Sequence, residues 1–343
     1  EYRKELTELQ DHAPPISWDS VENVFKESIG KDWRNHFQTI DQTPIATASL
    51  AQVHQGKLLD GNPCVVKIQI PDAPQCIDAD IKFFTLAAKL FKDQLPGLDP
   101  EQLVRELSRS MLSELDYHQE AKNMVRFKRV YENKECTVPQ LIPELLSPKT
   151  LGMSFVEGKP IRHFLSEVPS SSETVLKTVV SSFLGQIFIK GLFHADPHPG
   201  NFFITSRGKI ALLDFGAIGE LSTETTLAYQ NVVIALLLKQ QDGLINKLNQ
   251  AGFVINKPET LLKMLFPVKV TPKFKKNTNQ NQQDPLKSLE QSLRILKKAG
   301  VEIPNSFVLM ARVLISLGGL LSQYHVKLTL QELSGMLTSQ RNN

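Results

Sequence analysis

The sequence predicts a mixed α and β fold in two lobes, on three observations. Two strand-like runs, 50–59 and 64–70, are separated by a tight-turn signal. Apolar residues at helical spacing dominate the second half of the chain. Between these parts lies 157–160, which contains Gly158 and Pro160 and is a plausible hinge. We therefore expect a strand-containing lobe over 44–157, a mainly helical lobe over 158–343, and a helical N-terminal extension over 1–43.

Composition restricts the class of protein. The chain has 343 residues, enough for two or three folding units, and its 41% hydrophobic and 22% charged residues are ordinary for a globular protein. A net charge of +3 is too small to indicate nucleic-acid binding. The three cysteines lack C-x-x-C spacing, so we expect no disulfide framework or structural zinc site, and we expect a reducing compartment.

No segment has the roughly 18 uninterrupted apolar residues of a membrane-spanning helix. The best candidate, 307–321, is interrupted by Arg312, and we predict a buried helix there. The chain begins at Glu1 rather than Met, so we expect a fragment or a processed form.

Within the extension, Asp19 and Glu22 have capping-box spacing ahead of a helix. The strand pair follows, with a tight turn at 60–62, and Lys67 lies on the opposite face of its strand from Cys64, Val66, Ile68 and Ile70. We predict one helix over 77–91, a second from Asp99 to about Tyr131, and a strand over 151–155.

The helical lobe begins with an apolar stripe from Leu176 to Ile187 that ends at Gly191. A hairpin over 201–214 and helices near 223–240 and 305–322 follow. The Asn- and Gln-rich segment 277–283, flanked by lysines, is predicted to be a solvated loop.

The densest polar cluster is H-A-D-P-H-P-G-N at 194–201, followed by L-L-D-F-G at 212–216. Asp196 and Asn201 are five residues apart, as in the catalytic loop of protein kinases, and Asp214 occupies the metal-binding position of a D-F-G element. His194 and His198 are interpreted as structural, because the prolines around them exclude the helix that an i, i+4 metal pair requires. The ordered pair of motifs predicts phosphoryl-transfer chemistry.

A two-residue turn at Arg207-Gly208 would place Asn201 opposite Asp214 across the hairpin. Amide and carboxylate oxygens are suited to Mg²⁺ that holds nucleotide phosphates. Asp196, on the preceding loop, could accept a proton from an attacking hydroxyl or orient it.

Lys67 lies in a C-V-V-K-I strand comparable with the V-A-I-K strand whose lysine contacts nucleotide phosphates. Its partner should be a glutamate on the long helix that follows, and Glu114 and Glu120 both qualify. Asp116 and Glu120 would share one helix face at i and i+4.

The glycine-rich loop of kinases is missing. The corresponding segment, 43–54, has alanines and no glycine. Ala46, Ala48 and Ser49 in this segment are candidates for nucleotide binding. Methyl groups hold the backbone further from phosphates than glycine does, so we expect a different nucleotide position and poor phosphoryl transfer.

With these motifs, the sequence resembles the UbiB/ADCK/aarF family of atypical protein-kinase-like proteins over about residues 1–325. The matching segments are A-T-A-S-L-A-Q-V-H, Lys67, the E-L-D-Y segment at 114–117 with Glu120 and Asn123, H-A-D-P-H-P-G-N and L-L-D-F-G. The family's K-x-G-Q motif is not found, and we expect the chain to begin just downstream of it.

The resemblance implies a two-lobed kinase-like fold, ATP or ADP and Mg²⁺ as cofactors, weak ATPase activity, and a link to ubiquinone or other isoprenoid-lipid metabolism at a membrane. Implied partners are a nucleotide, an isoprenoid lipid or quinone-pathway proteins, and a membrane surface. The implied location is the cytoplasmic face of a membrane or, in a eukaryote, a mitochondrion or plastid.

The resemblance also implies individual roles. Lys67 would contact phosphates and pair with Glu120, while Glu114 and Asp116 would be an acidic pair near the nucleotide. Asp196 would be the catalytic aspartate, and the metal ligands would be Asn201 and Asp214. The strand-end residue Phe155 is a further nucleotide-binding candidate.

Two other functions stay open. The alanine-rich loop also suits a nucleotide-gated scaffold without meaningful turnover. A small-molecule phosphotransferase similar to aminoglycoside and choline kinases has a comparable catalytic loop, although the alanine-rich loop argues against it.

Overall fold

The computed structural model describes residues 14–48, 50–90, 104, 108, 112, 115–131, 136–266 and 298–339. The chain divides into two compact units. The first comprises Glu1–Gly158 together with Thr205–Gly216, and the second comprises Lys159–Ile204 and Ala217–Asn343. Sequence reasoning anticipated neither the assignment of Thr205–Gly216 to the first unit nor the merging of the N-terminal extension into it.

The first unit is built on an antiparallel sheet of order β1-β3-β4-β6, with β2 paired to β3. A short parallel pair, β5 with β10, completes its strands. Its elements are α1 (Trp18–Ile29), a 3₁₀ helix (Trp33–His36), β1 (Phe37–Ile40), β2 (Ala46–Thr47), β3 (Ala51–Leu58), β4 (Pro63–Gln69), α2 (Ala73–Leu90), α3 (Tyr117–Tyr131), β5 (Cys136–Thr137), a 3₁₀ helix (Pro143–Leu145), β6 (Thr150–Ser154) and β10 (Ile210–Leu212).

Helix α1 covers one face of this sheet. Its N-cap is Ser17, whose hydroxyl accepts the Ser20 N–H at 3.3 Å, so the predicted capping box of Asp19 and Glu22 is wrong. The extension also ends in a strand, β1, rather than in helix. The buried cluster beneath α1 consists of Val21, Val24, Phe25, Trp33, Phe37, Cys64, Val66, Ile68 and Leu145.

The hairpin β3–β4 fixes the direction of Lys67. The structure confirms both predicted strands and their faces, because Cys64, Val66 and Ile68 are buried under α1 while Lys67 lies on the alternate face. Val53 and Leu151 are the register partners of Lys67 on the neighbouring strands. The lysine therefore projects from the centre of the sheet.

The predicted continuous helix from Asp99 to Tyr131 is wrong at 115–116, where the chain forms a turn and α3 begins only at Tyr117. The Asp116 carboxylate accepts the His118 N–H at 2.9 Å and so caps α3. The Tyr117 N–H is directed to the Pro148 carbonyl, at 3.1 Å. Asp116 is therefore outside the helix, and the argument that it shares a face with Glu120 fails.

The second unit is mainly helical and contains two short antiparallel strand pairs, β8 with β11 and β12 with β13, besides β7 with β9. Its elements are β7 (Lys159–Pro160), α4 (Ile161–Glu167), a 3₁₀ helix (Pro169–Ser171), α5 (Ser172–Gly185), a π-helix (Gln186–Lys190), β8 (Leu192–His194), β9 (Phe202–Ile204), β11 (Ile218–Glu220), α6 (Thr223–Leu237), α7 (Leu244–Gln250), β12 (Val254–Ile255), α8 (Pro258–Leu265), β13 (Val301–Glu302), α9 (Asn305–Gln323) and α10 (Leu330–Ser339).

The helix predicted to stop at Gly191 does so, through a π-helical turn. Gly191 has φ 70°, a left-handed conformation that ends helices at low cost when the residue is glycine. Its amide carbonyl accepts the Leu221 N–H at 2.7 Å. This stop leads directly into β8 and the polar segment after it.

The turn within Thr205–Gly216 differs from the predicted two-residue turn. Thr205 and Lys209 close it, with Thr205 N–H donating to the Lys209 carbonyl at 2.9 Å, and three residues lie between them. Gly208 has φ 72°, as a three-residue turn with a glycine bulge requires. The register that placed Asn201 opposite Asp214 assumed the shorter turn, so that derivation is wrong, and their convergence stays a prediction.

Helix α9 confirms the predicted span near 305–322 but not its predicted burial. Only 22% of Ser306–Gln323 is buried, along the stripe Met310, Val313, Leu317 and Leu320. Among the described helices, this one is long and apolar enough to cross a membrane, with a mean hydropathy of 1.5. One such helix is weak evidence for a membrane span, since core helices of soluble proteins meet the same criterion.

The Asn- and Gln-rich segment 277–283 lies outside the described residues.

Candidate functional site

Lys67 is held between two carboxylates in the first unit. Its Nζ lies 2.9 Å from an oxygen of Glu120 and 3.0 Å from Oδ2 of Asp214. The lysine side chain is 18% exposed. Of the two glutamates that the sequence allowed as partner, the structure selects Glu120; Glu114 lies outside the described residues.

Glu120 also binds the D-F-G segment. It comes from α3, is 6% exposed, and its Oε1 accepts the Phe215 N–H at 3.2 Å. One turn later, the Asn123 amide donates to the Phe215 carbonyl at 2.9 Å. The Phe215 ring is buried against Phe127, with ring centroids 5.6 Å apart. Helix α3 thereby fixes both the lysine and the residue after Asp214.

The electrostatics of this cluster keep Lys67 charged. Burial alone would lower the pKa of Lys67, but the adjacent carboxylates of Asp214 and Glu120 outweigh burial and raise that pKa well above its usual value. Burial raises the pKa of Glu120, and the charge of Asp214 adds to this, while Lys67 opposes it. The two carboxylates and one ammonium carry a formal surplus of negative charge.

Asp214 is the exposed member of the set, with 37% of its side chain accessible. Its Oδ1 accepts the Gly216 N–H at 2.9 Å, and its Oδ2 contacts Lys67. Carboxylate and amide oxygens are the donors that Mg²⁺ prefers, so Asp214 and, on the second unit, Asn201 fit the predicted metal role by donor type. The described residues contain no cluster of three His, Cys, Asp or Glu side chains arranged for a metal.

The second unit carries the residues predicted to form a catalytic loop, Asp196 and Asn201. The Asn201 amide donates to Asp196 Oδ2 at 3.0 Å, which leaves the Asn201 carbonyl oxygen as an acceptor. The other oxygen, Asp196 Oδ1, lies 3.4 Å from the guanidinium of Arg312 on α9. Asp196 is 36% exposed, so its carboxylate is oriented by two donors while it stays accessible.

Both histidines of the cluster hold loop backbone. His194 Nδ1 accepts the Asp196 N–H at 3.2 Å, and His198 Nδ1 accepts the Gly200 N–H at 3.2 Å. These contacts agree with the structural interpretation of the two residues.

Among the remaining predicted residues that the structure describes, none forms a hydrogen bond or ion pair with Lys67. Ala46 and Ala48 lie exposed in the β2–β3 hairpin, and Ser49 lies outside the described residues. Phe155 donates its N–H to the Pro63 carbonyl at 3.1 Å. Asp116 is exposed and contacts His118. Their roles at a nucleotide stay predictions.

Sequence reasoning missed a buried polar network in the alanine-rich segment. Gln52 Oε1 accepts the Ile16 N–H at 2.9 Å, and Gln52 Nε2 lies 2.8 Å from His54 Nε2. His54 Nδ1 lies 2.8 Å from the Asp41 carbonyl. Because the Gln52 amide must donate to His54, the imidazole is neutral and carries its proton on Nδ1. The available signal was the alternation of Gln52 and His54 with Ala51 and Val53, two polar residues two apart in a predicted strand.

A second missed residue is Arg312, which the sequence showed only as an interruption of an apolar helix. Its contact with Asp196 gives that cation a partner in the predicted catalytic loop. A lone cation in an apolar helix was the signal.

A lysine paired with a helix glutamate, next to a D-F-G aspartate, defines a protein of the kinase-like class. The profile of the ABC1 atypical kinase-like domain matches residues 8–248. The chain therefore belongs to this family, the UbiB/ADCK/aarF family that the motifs indicated, and the predicted α+β kinase-like fold class is confirmed.

Several relatives carry kinase names. The chain is 31% identical to mouse AarF domain-containing protein kinase 1 over 71% of the chain and 48% of that protein. It is 32% identical to the chloroplastic protein ACTIVITY OF BC1 COMPLEX KINASE 1 of Arabidopsis thaliana, over 74% of the chain and 38% of that protein. The chain thus spans about half or less of the length of these relatives.

One solved structure resembles the whole chain. A Mycobacterium tuberculosis protein in complex with erythromycin matches with a TM-score of 0.67 and 24% identity, covering 100% of this chain and 87% of that one. At this identity the similarity concerns the fold alone.

Proposed function

We propose that this protein binds ATP or ADP together with Mg²⁺ and acts as an atypical kinase or ATPase. The observation that carries the proposal is the contact of Lys67 with both Glu120 and Asp214 in a chain of the ABC1 atypical kinase-like family. In protein kinases the corresponding lysine–glutamate pair and D-F-G aspartate must both be in place for phosphoryl transfer.

Each residue contributes by its own chemistry. Lys67, charged at neutral pH, binds phosphate oxygens, and Glu120 keeps its ammonium directed away from the strand. Asp214 and Asn201 would hold Mg²⁺, which when bound neutralises charge on the phosphates. In the transfer, the acceptor oxygen forms a bond to the terminal phosphorus, the bond to the bridging oxygen breaks, and Asp196 takes the acceptor's proton.

The β2–β3 hairpin, which stands where kinases have a glycine-rich loop, is an argument that phosphoryl transfer is slow. The Ile45 N–H donates to the Val53 carbonyl and the Ala48 N–H to the Ala51 carbonyl, both at 2.8 Å. Backbone amides engaged in the hairpin are not available to bind phosphates. This observation favours a second candidate, a nucleotide-gated scaffold with little turnover, which steady phosphate release that depends on Asp196 would exclude.

The proposed biological setting is ubiquinone or other isoprenoid-lipid metabolism at a membrane, with lipid or quinone-pathway proteins as partners. Relatives named as chloroplastic support an organellar location if the source is a eukaryote. Exposed Val308, Leu309 and Ile315 on α9 support contact with lipid. Mass spectrometry of the purified protein tests this setting by identifying the nucleotide and the isoprenoid lipid that co-purify.

The direct test of nucleotide binding is a thermal shift. Mg²⁺ with ATP should raise the unfolding temperature of the wild-type protein, and Asp214→Asn should abolish the Mg²⁺-dependent part of that rise, since the amide is a weaker cation ligand. Asp60→Asn, an exposed turn residue of the same unit, is the matched control and should leave the rise intact. An unchanged rise in Asp214→Asn would contradict the proposal.

A further inference from the structure

Arg312 is the charged residue of an otherwise uncharged helix, α9. Cations on a helix usually pair with carboxylates three or four residues away. The sequence has uncharged residues at these distances from Arg312: Val308, Leu309, Ile315 and Ser316. The helix itself therefore offers the guanidinium no partner. Within the described part of the chain, its ionic partner is Asp196 of the predicted catalytic loop.

The backbone of α9 is fixed around Arg312. Met310 and Val313, two residues before and one residue after it, are 2% and 0% exposed. Near the start of the helix, the Ser306 hydroxyl lies 2.9 Å from the Tyr229 hydroxyl, within hydrogen-bond distance. Arg312 therefore projects from a fixed point of the second unit.

The loop at Asp196 belongs to the same unit, and its backbone is also held. The Ala195 N–H donates to the Ala217 carbonyl at 3.0 Å, and the Asp196 N–H donates to His194 Nδ1 at 3.2 Å. The Asn201 amide donates to Asp196 Oδ2 at 3.0 Å. The guanidinium and the carboxylate thus meet between two fixed backbone segments, so their proximity is a property of the fold.

The contact between Arg312 and Asp196 is loose. The guanidinium nitrogen lies 3.4 Å from Asp196 Oδ1, whereas charge-assisted hydrogen bonds measure about 2.7–2.9 Å. The arginine side chain is 55% exposed, and a guanidinium has five N–H donors in one plane. An exposed ion pair of this kind adds little to folding stability. With respect to the described residues, donors of Arg312 stay available to a second anion that binds beside Asp196.

We propose that Arg312 is a catalytic residue that binds the phosphoryl group during its transfer to an acceptor oxygen at Asp196. The inference rests on the proposed function and deepens it by adding a cation to the transfer. The acceptor oxygen forms a bond to the terminal phosphorus, the bond to the bridging oxygen breaks, and Asp196 takes the acceptor's proton. Arg312 stays protonated throughout and donates hydrogen bonds to the non-bridging oxygens.

The position of Arg312 beside the proposed base supports this role. Asp196 must lie within hydrogen-bond reach of the hydroxyl whose proton it takes, and the oxygen of that hydroxyl bonds to the phosphorus. A cation in contact with Asp196 is therefore close to the oxygens over which charge is spread in the transition state. A guanidinium matches such oxygens in a planar, two-point contact, and an arginine of the same chain serves this purpose in some phosphoryl-transfer enzymes.

Phosphate release from ATP, with water as the acceptor, tests the role through turnover. Arg312→Ala should lower kcat by at least about a hundredfold and change KM for ATP by less than about threefold, because the contact forms in the transition state. Arg312→Lys should stay well below the wild type, because an ammonium lacks the planar fork. Guanidinium ion, added below the concentration that unfolds the protein, should restore part of the activity of Arg312→Ala, and sodium chloride at equal concentration should not.

The matched control is Lys327→Ala, which removes an exposed cation of the same unit and should keep the wild-type kcat. Arg312→Gln, whose side chain stays polar, is a second variant and should lose turnover as Arg312→Ala does. Unfolding temperatures of all variants establish that each protein is folded.

A second readout does not need turnover. ADP with Mg²⁺ and aluminium fluoride, which mimics the phosphoryl group in transfer, should raise the unfolding temperature of the wild type beyond the rise with ADP and Mg²⁺ alone. In Arg312→Ala this additional rise should be lost, while the rise with ADP and Mg²⁺ remains.

Failure of the inference is distinguishable from failure of the proposed function. If ADP and Mg²⁺ do not stabilise the wild type, the proposed function is wrong and the inference is wrong with it. If they do, the inference alone is overturned by a wild type without the additional rise, or by an Arg312→Ala protein that keeps both the additional rise and wild-type turnover. A higher kcat in Arg312→Ala would also overturn it, since the arginine would then restrain Asp196 rather than assist transfer.

Discussion

The two polar sets of the molecule differ in how deeply they are buried. In the first unit, Glu120 is 6% exposed and contacts both Lys67 and the backbone of Phe215. In the second unit, Asp196 and Arg312 are 36% and 55% exposed and 3.4 Å apart. Both sets contain a carboxylate opposite a cation, but only the first is removed from water.

Because of this difference in burial, we expect the two sets of residues to affect folding stability to different extents. Loss of Glu120 would leave the buried Lys67 with the more exposed Asp214 as its carboxylate partner and would leave the Phe215 N–H without its acceptor, whereas an exposed pair is exchanged for water at little cost. We therefore expect the Lys67 set to contribute to both folding and nucleotide binding. The Asp196 set should contribute to chemistry with little effect on folding.

The largest expected effect is on Glu120. Glu120→Ala should lower the free energy of unfolding by about 4 kcal/mol, because it removes a buried partner of Lys67 and the acceptor of the Phe215 N–H. Denaturant unfolding followed by circular dichroism measures this. Glu27→Ala, which removes a 64% exposed carboxylate paired with Lys149, should cost less than about 1 kcal/mol. Equal losses of unfolding free energy in the two variants would contradict the claim that burial makes the Glu120 contacts important for folding.

The network of Gln52, His54 and the Asp41 carbonyl is buried but neutral, so it tests the effect of burial on stability in the absence of charge. His54 is 0% exposed, and His54→Ala should lower the free energy of unfolding by about 3 kcal/mol, because the Gln52 amide and the Asp41 carbonyl lose their partner and a void remains. Exposed His163→Ala is the control, with little expected change. A loss below about 1 kcal/mol in His54→Ala would show that the network relaxes or admits water.

The same network predicts a dependence on pH. Burial lowers the pKa of His54, against the opposing effect of the Asp41 carbonyl and carboxylate. In the unfolded chain His54 takes up a proton below about pH 6.5, whereas in the folded chain it stays neutral to a lower pH. The contribution of neutral His54 to the free energy of unfolding is therefore present above that pH and is lost as the pH falls toward the folded-state pKa. Unfolding midpoints at neutral and mildly acidic pH should therefore differ more in the wild type than in His54→Gln. Parallel pH dependences would contradict the neutral imidazole.

The smallest expected effect on folding is at Arg312. Arg312→Gln should change the free energy of unfolding by less than about 1 kcal/mol, because the pair with Asp196 is half exposed. The measurement is the same denaturant titration. A loss comparable with that of Glu120→Ala would show that the second set is structural rather than reserved for chemistry.

Regular patterns made much of the fold predictable. Alternation along 64–70 placed Lys67 on the face away from the core, and Gly191 marked a helix end. Local competition made the rest hard to predict: Asp116 prefers to cap α3 rather than continue a helix, and Gly208 adds one residue to a turn. Each of these wrong predictions is due to one residue, and the periodicity of apolar residues carries no information about the effect of one residue.

The candidate site was predictable as residue types but not as contacts. The motifs pointed to Lys67, Asp196, Asn201 and Asp214, whereas the choice of Glu120 over Glu114 needed the position of α3. The Arg312 contact joins residues 116 positions apart in sequence, and spacing alone does not reveal such a pair.

Calorimetric titration of ATP with Mg²⁺ into Lys67→Met tests the central claim most directly. The account predicts that this variant binds at least about tenfold more weakly than the wild type, a loss of ~1.4 kcal/mol. Lys57→Met, an exposed lysine on β3 of the same sheet, should bind as the wild type does. Wild-type affinity in a folded Lys67→Met protein would contradict the account.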